Sequence, residues 1–191
     1  MKKLNLHIAL LHYPMYGKNY ETITTSVTNL DVHDIARLAR TYNLSSYWVV
    51  TPIKPQRDMV ERVVNYWVNG PGGEYNPHRK EALSLVRVAS DVDEMVGGIE
   101  KEFGGPVKLF ATDARPYPNM IDYEEARRLL REDDSQYVLV LGTGHGIVYD
   151  AIRSMDYFLK PIRPNTSFNH LSVRSAASIL VDRLVGEEWS Y

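Results

Sequence analysis

Two runs in this chain, "YWVV" at 47–50 and "YVLVL" at 137–141, are apolar at every position. A strand with one face in water alternates apolar and polar residues, so unbroken runs of this length belong to strands covered on both faces. Strands of that kind sit in parallel sheets, where the crossover helices supply the cover. Similar β-branched and large apolar composition predicts strands over 4–11, 47–52, 85–90, 107–112 and 137–141. Helical spacing of apolar residues falls between them, over 31–43, 56–69, 91–103 and 122–132, and again over 169–185. The alternation predicts an α/β fold, with a mainly parallel sheet and helices on both faces. A chain of 191 residues fits one such domain spanning 1–191. The glycine- and proline-rich stretch 70–79 is expected to be a surface loop.

Some chemistry is excluded by what is missing. The chain has no cysteine, which removes disulfides, Cys-ligated zinc and a thiol nucleophile, and no metal site is expected. The opening "MKKLNLHIALLHYP" has a basic start and an apolar run, but that run contains His7 and His12 and lacks a small-residue cleavage pattern. It reads as a first strand rather than a signal peptide. No segment approaches the ~18 apolar residues of a membrane span, so a cytoplasmic protein with no membrane partner is expected. A net charge of −2 leaves any nucleic-acid partner to local basic patches.

Two helical segments carry more information than the others. In 31–43, Val32, Ile35, Ala39 and Tyr42 fall at helical spacing toward the sheet, and His33, Arg37 and Arg40 stack along another face. Asp31, with Asp34 three residues on, is the expected N-cap. In 169–185, Asn169 is the cap candidate and Gly186 the stop, with Val173, Ala176, Ala177, Leu180 and Leu184 as the buried stripe. The small residues Ala176 and Ala177 let a ligand or another backbone come close.

The turn "LGTGHGI" comes directly after the strand at 137–141. Strand, glycine turn and helix is a common way to hold a nucleotide, yet neither standard version fits. A P-loop needs a lysine directly after its glycines, and none occurs here before Lys160. A dinucleotide fingerprint needs a third glycine where Ile147 stands, and an acidic residue about 20 positions on, where the sequence reads "PIRPN". The downstream segment "YFLKPIRPNTSFNHLSVRSAASIL" (157–180) is more specific: a short strand, a proline-bounded polar loop and the small-residue helix. It sets a second loop beside the first, at the carboxyl end of the sheet.

These segments together resemble the SPOUT superfamily of S-adenosylmethionine-dependent RNA methyltransferases. The ribose-methylating branch of that superfamily has a first motif near N-x-G-A-I-x-R-T-A. "DVHDIARLARTYN" matches it at Ile35, Arg37 and Ala39, with Asp31 in place of the asparagine, His33 in place of the glycine, and Asn29 two residues upstream. A second motif, L-G-x-E-x-x-G, is met by "LVLGTGHGI" at Gly142, with Gly144 in place of the glutamate. A third, an I-P loop leading into S-L-N-V-S-x-A-x-A, is met by 161–180 at Leu171, Val173 and Ala176, with Ser172 in place of the asparagine. The resemblance covers about 27–185.

The resemblance implies a C-terminal trefoil knot over about 137–186, S-adenosyl-L-methionine as cofactor, a homodimer, and structured RNA (tRNA or rRNA) as substrate, with ribose or base undecided. It places Leu141, Gly142, Gly144, His145 and Gly146 around the cofactor. Ile162, Arg163, Pro164, Asn169, Leu171 and Ser172 would close over its adenine, Ala111 and Thr112 would form a further wall, and Ala176 would allow close approach. Arg37 is implied as the residue acting on the acceptor, with His33 and Asn29 beside it. Asp113 has two readings, a base toward a purine N1–H or a turn cap. Positive charge for RNA is expected from Arg37, Arg40, Lys54, Arg57, residues 78–80, Arg163 and Arg174, and base stacking from Tyr13, Tyr16 and Tyr20. Two other readings stay open: a knot-fold protein that binds RNA or cofactor without catalysis, and an unrelated nucleotide-binding α/β domain.

Overall fold

The structure is a computed structural model and describes residues 5–132 and 134–186. Six strands form one parallel sheet: β1 (Leu6–Leu11), β4 (Tyr47–Val50), β5 (Val86–Ala89), β6 (Val107–Ala111), β7 (Gln136–Leu141) and β8 (Tyr157–Phe158). Their order across the sheet is β5-β4-β1-β7-β6-β8. From β1 the chain first builds outward to β4 and β5. It then crosses to the other side, through β6, and returns with β7 into the gap beside β1. A small antiparallel hairpin, β2 (Met15–Tyr16) with β3 (Thr22–Ile23), stands outside this sheet.

Alternate residues of the central strands feed two cores. Ile8, Leu10, Tyr47, Val49, Leu139 and Leu141 point to one face, against α1 (Asn29–Thr41), α2 (Lys54–Val68), α4 (Pro77–Leu83), α6 (Tyr123–Glu132) and α8 (Val173–Val185). Ala9, Leu11, Trp48, Val50, Val138 and Val140 point to the other, against Met95 and Ile99 of α5 (Val92–Phe103) and Ile152 of α7 (Tyr149–Ile152). The apolar runs are continuous for this reason, and the parallel sheet with helices on both faces matches the expectation.

Three local readings are corrected. Residues 70–79 are not a loop: they contain α3 (Pro71–Tyr75) and the start of α4. Pro71 and Pro77 sit at helix starts, where a missing N–H is harmless, and the Asn76 side chain accepts from Arg79 N. The cap of α1 is Thr28 rather than Asp31. Thr28 Oγ1 accepts from Asp31 N at 3.2 Å and donates to Asp31 Oδ2 at 2.6 Å, which puts Asp31 inside the first turn. The last helix starts at Val173 under a Ser172 cap, while Asn169 instead donates to Ile162 O. Leu4, at the start of the first expected strand, lies outside the described residues.

Helix α5 carries two adjacent glycines in different surroundings. A Cβ on Gly97 would meet nothing within 4 Å, whereas one on Gly98 would lie 2.6 Å from Cη2 of Trp48. That indole is fixed by its Nε1 donating to Ser46 Oγ at 2.8 Å. Gly97→Ala is expected to raise stability by about 0.5–1 kcal/mol, through lower unfolded-chain entropy. Gly98→Ala is expected to lower it by about 1–3 kcal/mol through overpacking. Urea unfolding of the two variants checks the opposite signs.

Candidate active site

Open parallel sheets bind ligands beyond the carboxyl ends of their strands, where the strand order reverses. Here that point is the β1–β7 pair. The segments leaving β1, β6 and β7 converge there with residues 159–176, and enclose a cleft of about 850 Å³. Its apolar wall is Leu141, Leu159, Ile162, Leu171, Val173 and Leu180. The turn Gly142–Gly146 and Thr25, Ser26 and Thr28 also line the cleft. Gly144 and Gly146 have φ of 57° and 97°, a backbone region that disfavours side chains. At Gly146 a Cβ would also lie 2.8 Å from Arg115 Nη2. The turn is pinned from outside by Tyr16 N donating to Gly146 O at 2.9 Å.

Three polar groupings hold the frame. The first runs from the buried His12, whose Nδ1 is 3.1 Å from Thr25 Oγ1, to Thr143 Oγ1, 2.5 Å further on. Thr143 Oγ1 also donates to Leu11 O, so the end of β1 and the glycine turn are joined through side chains. His12 Nε2 is buried without a partner among the described residues. The second grouping is the buried Asp31 carboxylate, which receives Arg174 Nη1 at 3.0 Å and ties α1 to α8. The same guanidinium reaches Asp34 Oδ2 at 3.2 Å. The third is Asp113, which accepts from Arg115 N, Nε and Nη2 and from the Tyr117 hydroxyl. Burial, reinforced by Asp113, pushes the Tyr117 phenol up to about 12.

Of the residues named from sequence for the cofactor, Thr112, Leu141, Gly142, Gly144, His145, Gly146, Ile162, Asn169, Leu171 and Ala176 line the cleft. Four do not. Ala111 is buried in β6, where its carbonyl accepts from Leu159 N. Ser172 caps α8, and Arg163 and Pro164 are exposed outside the wall. The structure does not bring Asn29, His33 and Arg37 to this cleft. Asn29 and His33 face a separate groove on the other side of α1, and Arg37 is exposed farther along the helix.

Thr25, Asp31, Thr143, Lys160 and His170 line the cleft and had no assigned role there. Only Thr143, inside the glycine turn, carried a usable signal in sequence. Asp113 behaves as a turn cap already occupied by Arg115, not as a free base. Several of the cations expected to meet RNA are engaged within the chain: Arg40 by Glu81, Lys54 by Asp58, Arg57 by Thr51 O and Arg174 by two aspartates. No group of three or more metal-ligating side chains occurs among the described residues, and none of their helices is long and apolar enough to cross a membrane.

A family model described as SAM-dependent RNA methyltransferase matches residues 5–186. An uncharacterized protein of Aquifex aeolicus is 46% identical over 180 residues, covering 94% of this chain and 88% of its own. A protein of Oleidesulfovibrio alaskensis named tRNA (guanine-N(1)-)-methyltransferase is 43% identical over 183 residues. The match covers 96% of this chain but only 42% of that relative, so the chain spans less than half of its length. In fold, the chain is similar to the SpoU methyltransferase AviRb from Streptomyces viridochromogenes, solved in complex with AdoMet. The TM-score is 0.58 at 15% identity, over 97% of this chain and 61% of that one.

The buried His12 imidazole, bonded to the cleft-lining Thr25, gives a pH signature. Burial lowers the His12 pKa from 6.5 to about 4, against a smaller opposing pull from Asp31. Between these values the unfolded chain binds a proton that the folded chain refuses. The stability this confers is therefore complete above pH 6.5 and is lost as pH falls toward about 4. His12→Asn, which keeps a polar atom near the Nδ1 position, is expected to flatten that part of the profile. Urea unfolding at stepped pH, for both proteins, measures it.

Proposed function

This chain belongs to the family of SAM-dependent RNA methyltransferases, and we propose on that premise that its carboxyl-edge cleft binds S-adenosylmethionine and presents it to a nucleotide of tRNA. The observation that carries the proposal is the enclosure of one cleft by the glycine turn and the 159–176 segment, the two stretches that sequence paired. Its volume of about 850 Å³ suits a nucleoside-sized ligand.

The residues present fit that cofactor. Leu141, Ile162 and Leu171 offer an aliphatic slot for a purine ring. Residues 142–146 line the cleft, and the positive φ of Gly144 and Gly146 gives that turn its course around it. Asp31 and Asp113 border the cleft as parts of its frame, each carboxylate held by an arginine of this chain, Arg174 and Arg115. S-adenosylmethionine, when bound, supplies an electrophilic methyl group on a sulfonium. The chain's own contribution is position and exclusion of water, together with a group to take the acceptor's proton. His145 and His170 are the imidazoles at the cleft with the exposure for that role. Asp113 is committed to Arg115 and Tyr117. Asn29, His33 and Arg37 lie beyond the wall of α1 and take no part in the transfer as we propose it.

The Oleidesulfovibrio relative supports tRNA as the RNA and guanine N1 as the first acceptor to examine. Its name, though, describes a chain of which the matched part is 42%. The homodimer and the threading of 137–186 through a knot belong to the same proposal. The passage of α8 back from the β8 edge to pack on α1 supports such threading.

Calorimetry with S-adenosylmethionine is expected to show one site per chain. Gly144→Val, which forces a β-branched residue into φ 57°, is expected to weaken it by more than tenfold while thermal unfolding stays cooperative. Transfer of tritiated methyl from the cofactor to tRNA, with nucleoside mass spectrometry of the product, identifies the modified position. Cofactor binding without any transfer would refute the catalytic reading, and absence of cofactor binding would refute the site.

A further inference from the structure

The groove on the far side of α1 shares no lining residue with the cleft. It encloses about 600 Å³ between α1, α2 and α4. Trp67 is on its wall. Arg79 lies over the indole with Cζ 4.9 Å from the ring centroid, while His33 and Tyr66 meet that ring edge-on at 5.8 and 5.3 Å. Tyr66 keeps 51% of its surface exposed.

Part of the positive charge elsewhere on the surface is paired, while Lys18, Lys80, Lys101 and Arg163 have no carboxylate partner among the described residues. Arg40, Lys54, Arg87, Lys108 and Lys160 each have a carboxylate partner. Among the described residues, Arg62 and Arg79 of this groove have none, and Arg37 beside it has none. Arg79 Nε and His33 Nδ1 are buried without any hydrogen-bond partner among those residues. The one carboxylate on the wall, Asp34, is turned toward Arg174. Burial and the neighbouring Arg79 hold His33 below its ordinary pKa, so its ring adds little positive charge near neutral pH. A guanidinium with no carboxylate partner, a second one lining the same groove and an exposed aromatic side chain are what a phosphate and an unpaired base require together.

We propose that this groove is a second RNA contact, in which an unpaired nucleotide of the substrate stacks on Tyr66 with its phosphate against Arg62 and Arg79. The proposal rests on the reading of the chain as an RNA methyltransferase and extends it to how the RNA is held. The groove and the cleft share the first turn of α1 as a party wall. Thr28 and Asp31 look into the cleft, and Asn29, Leu30 and His33 look into the groove. A strand crossing that turn has one nucleotide in the groove while a near neighbour lies at the cleft mouth. His33 and Asn29 then belong to substrate positioning rather than to the transfer step.

The test uses a fluorescein-labelled single-stranded oligouridylate and unmodified tRNA, titrated by anisotropy at several salt concentrations. The variants are Arg62→Ala and Tyr66→Ala. Each is expected to weaken both RNAs by about tenfold, and Arg62→Ala to lower the salt slope by about one. Affinity for S-adenosylmethionine, read by calorimetry, should stay unchanged in both. Gly144→Val should show the converse, losing cofactor and keeping the oligonucleotide, so the two readings fail separately. The groove proposal is overturned if the variants bind RNA as the parent does, or if the parent does not bind the oligonucleotide. It is equally overturned if sedimentation shows that the substitutions convert a dimer to monomers, since the groove would then be covered by a second copy.

Discussion

The pairing of β1 with β7 is the constraint on which the rest depends. Leu6 to Leu10 lie in register with Tyr137 to Leu141, so two segments more than a hundred residues apart become the middle of the sheet. Both are buried on both faces, and neither has a polar side to offer water. Once they pair, the residues beyond each strand must leave from the same edge and in different directions. The 12–28 segment and the glycine turn then face one another across a gap. The cleft is that gap, roofed by residues 159–176. Its position is set by topology before any side chain in it is considered.

A gap between diverging loops collapses or splays unless something fixes its width. Hydrogen bonds through Thr25 and Thr143 fix it on the β1 side, and the Asp113–Arg115 pair fixes it under Gly146. The Asp31–Arg174 pair closes the remaining side by joining α1 to α8. Burying a carboxylate is costly unless its hydrogen bonds are complete, and Asp31 has Thr28 on one oxygen and Arg174 on the other. The unpartnered Nε2 of His12 and the positive φ of the two glycines are local costs retained beside the cleft. Such costs persist where the surrounding structure over-determines them, and here that surrounding is the polar frame.

The sheet is legible in sequence because a buried parallel strand writes its environment at every position, as Tyr47 to Val50 do. The glycine turn and the small-residue helix are legible as partners because both must stand at the carboxyl edge. The helices at 71–83 are hidden by residues whose meaning depends on position. Proline at 71 and 77 breaks a helix interior but starts a helix well, and Asn76 suits either a turn or a cap. The cap of α1 is ambiguous for the same reason, since Asp31 is a good cap and also a good partner for a distant arginine. That partner, Arg174, is 143 residues away, a distance over which no local pattern speaks.

Helix α1 shows what spacing can and cannot decide. His33, Arg37 and Arg40 do share one side of the helix, as their intervals require. Their neighbours give them three different situations. Arg40 is held by Glu81, Arg37 stands exposed, and His33 is drawn against Trp67. A stripe that reads as one basic surface is therefore divided by what α2 and α4 bring to it. The first turn is divided as well, between a cleft suited to a cofactor and a groove with unpaired arginines. That turn is short and capped, and its Asp31 side chain ties it to α8, so the two cavities keep a fixed relation to each other. A substrate reaching both would be placed by the rigidity of α1.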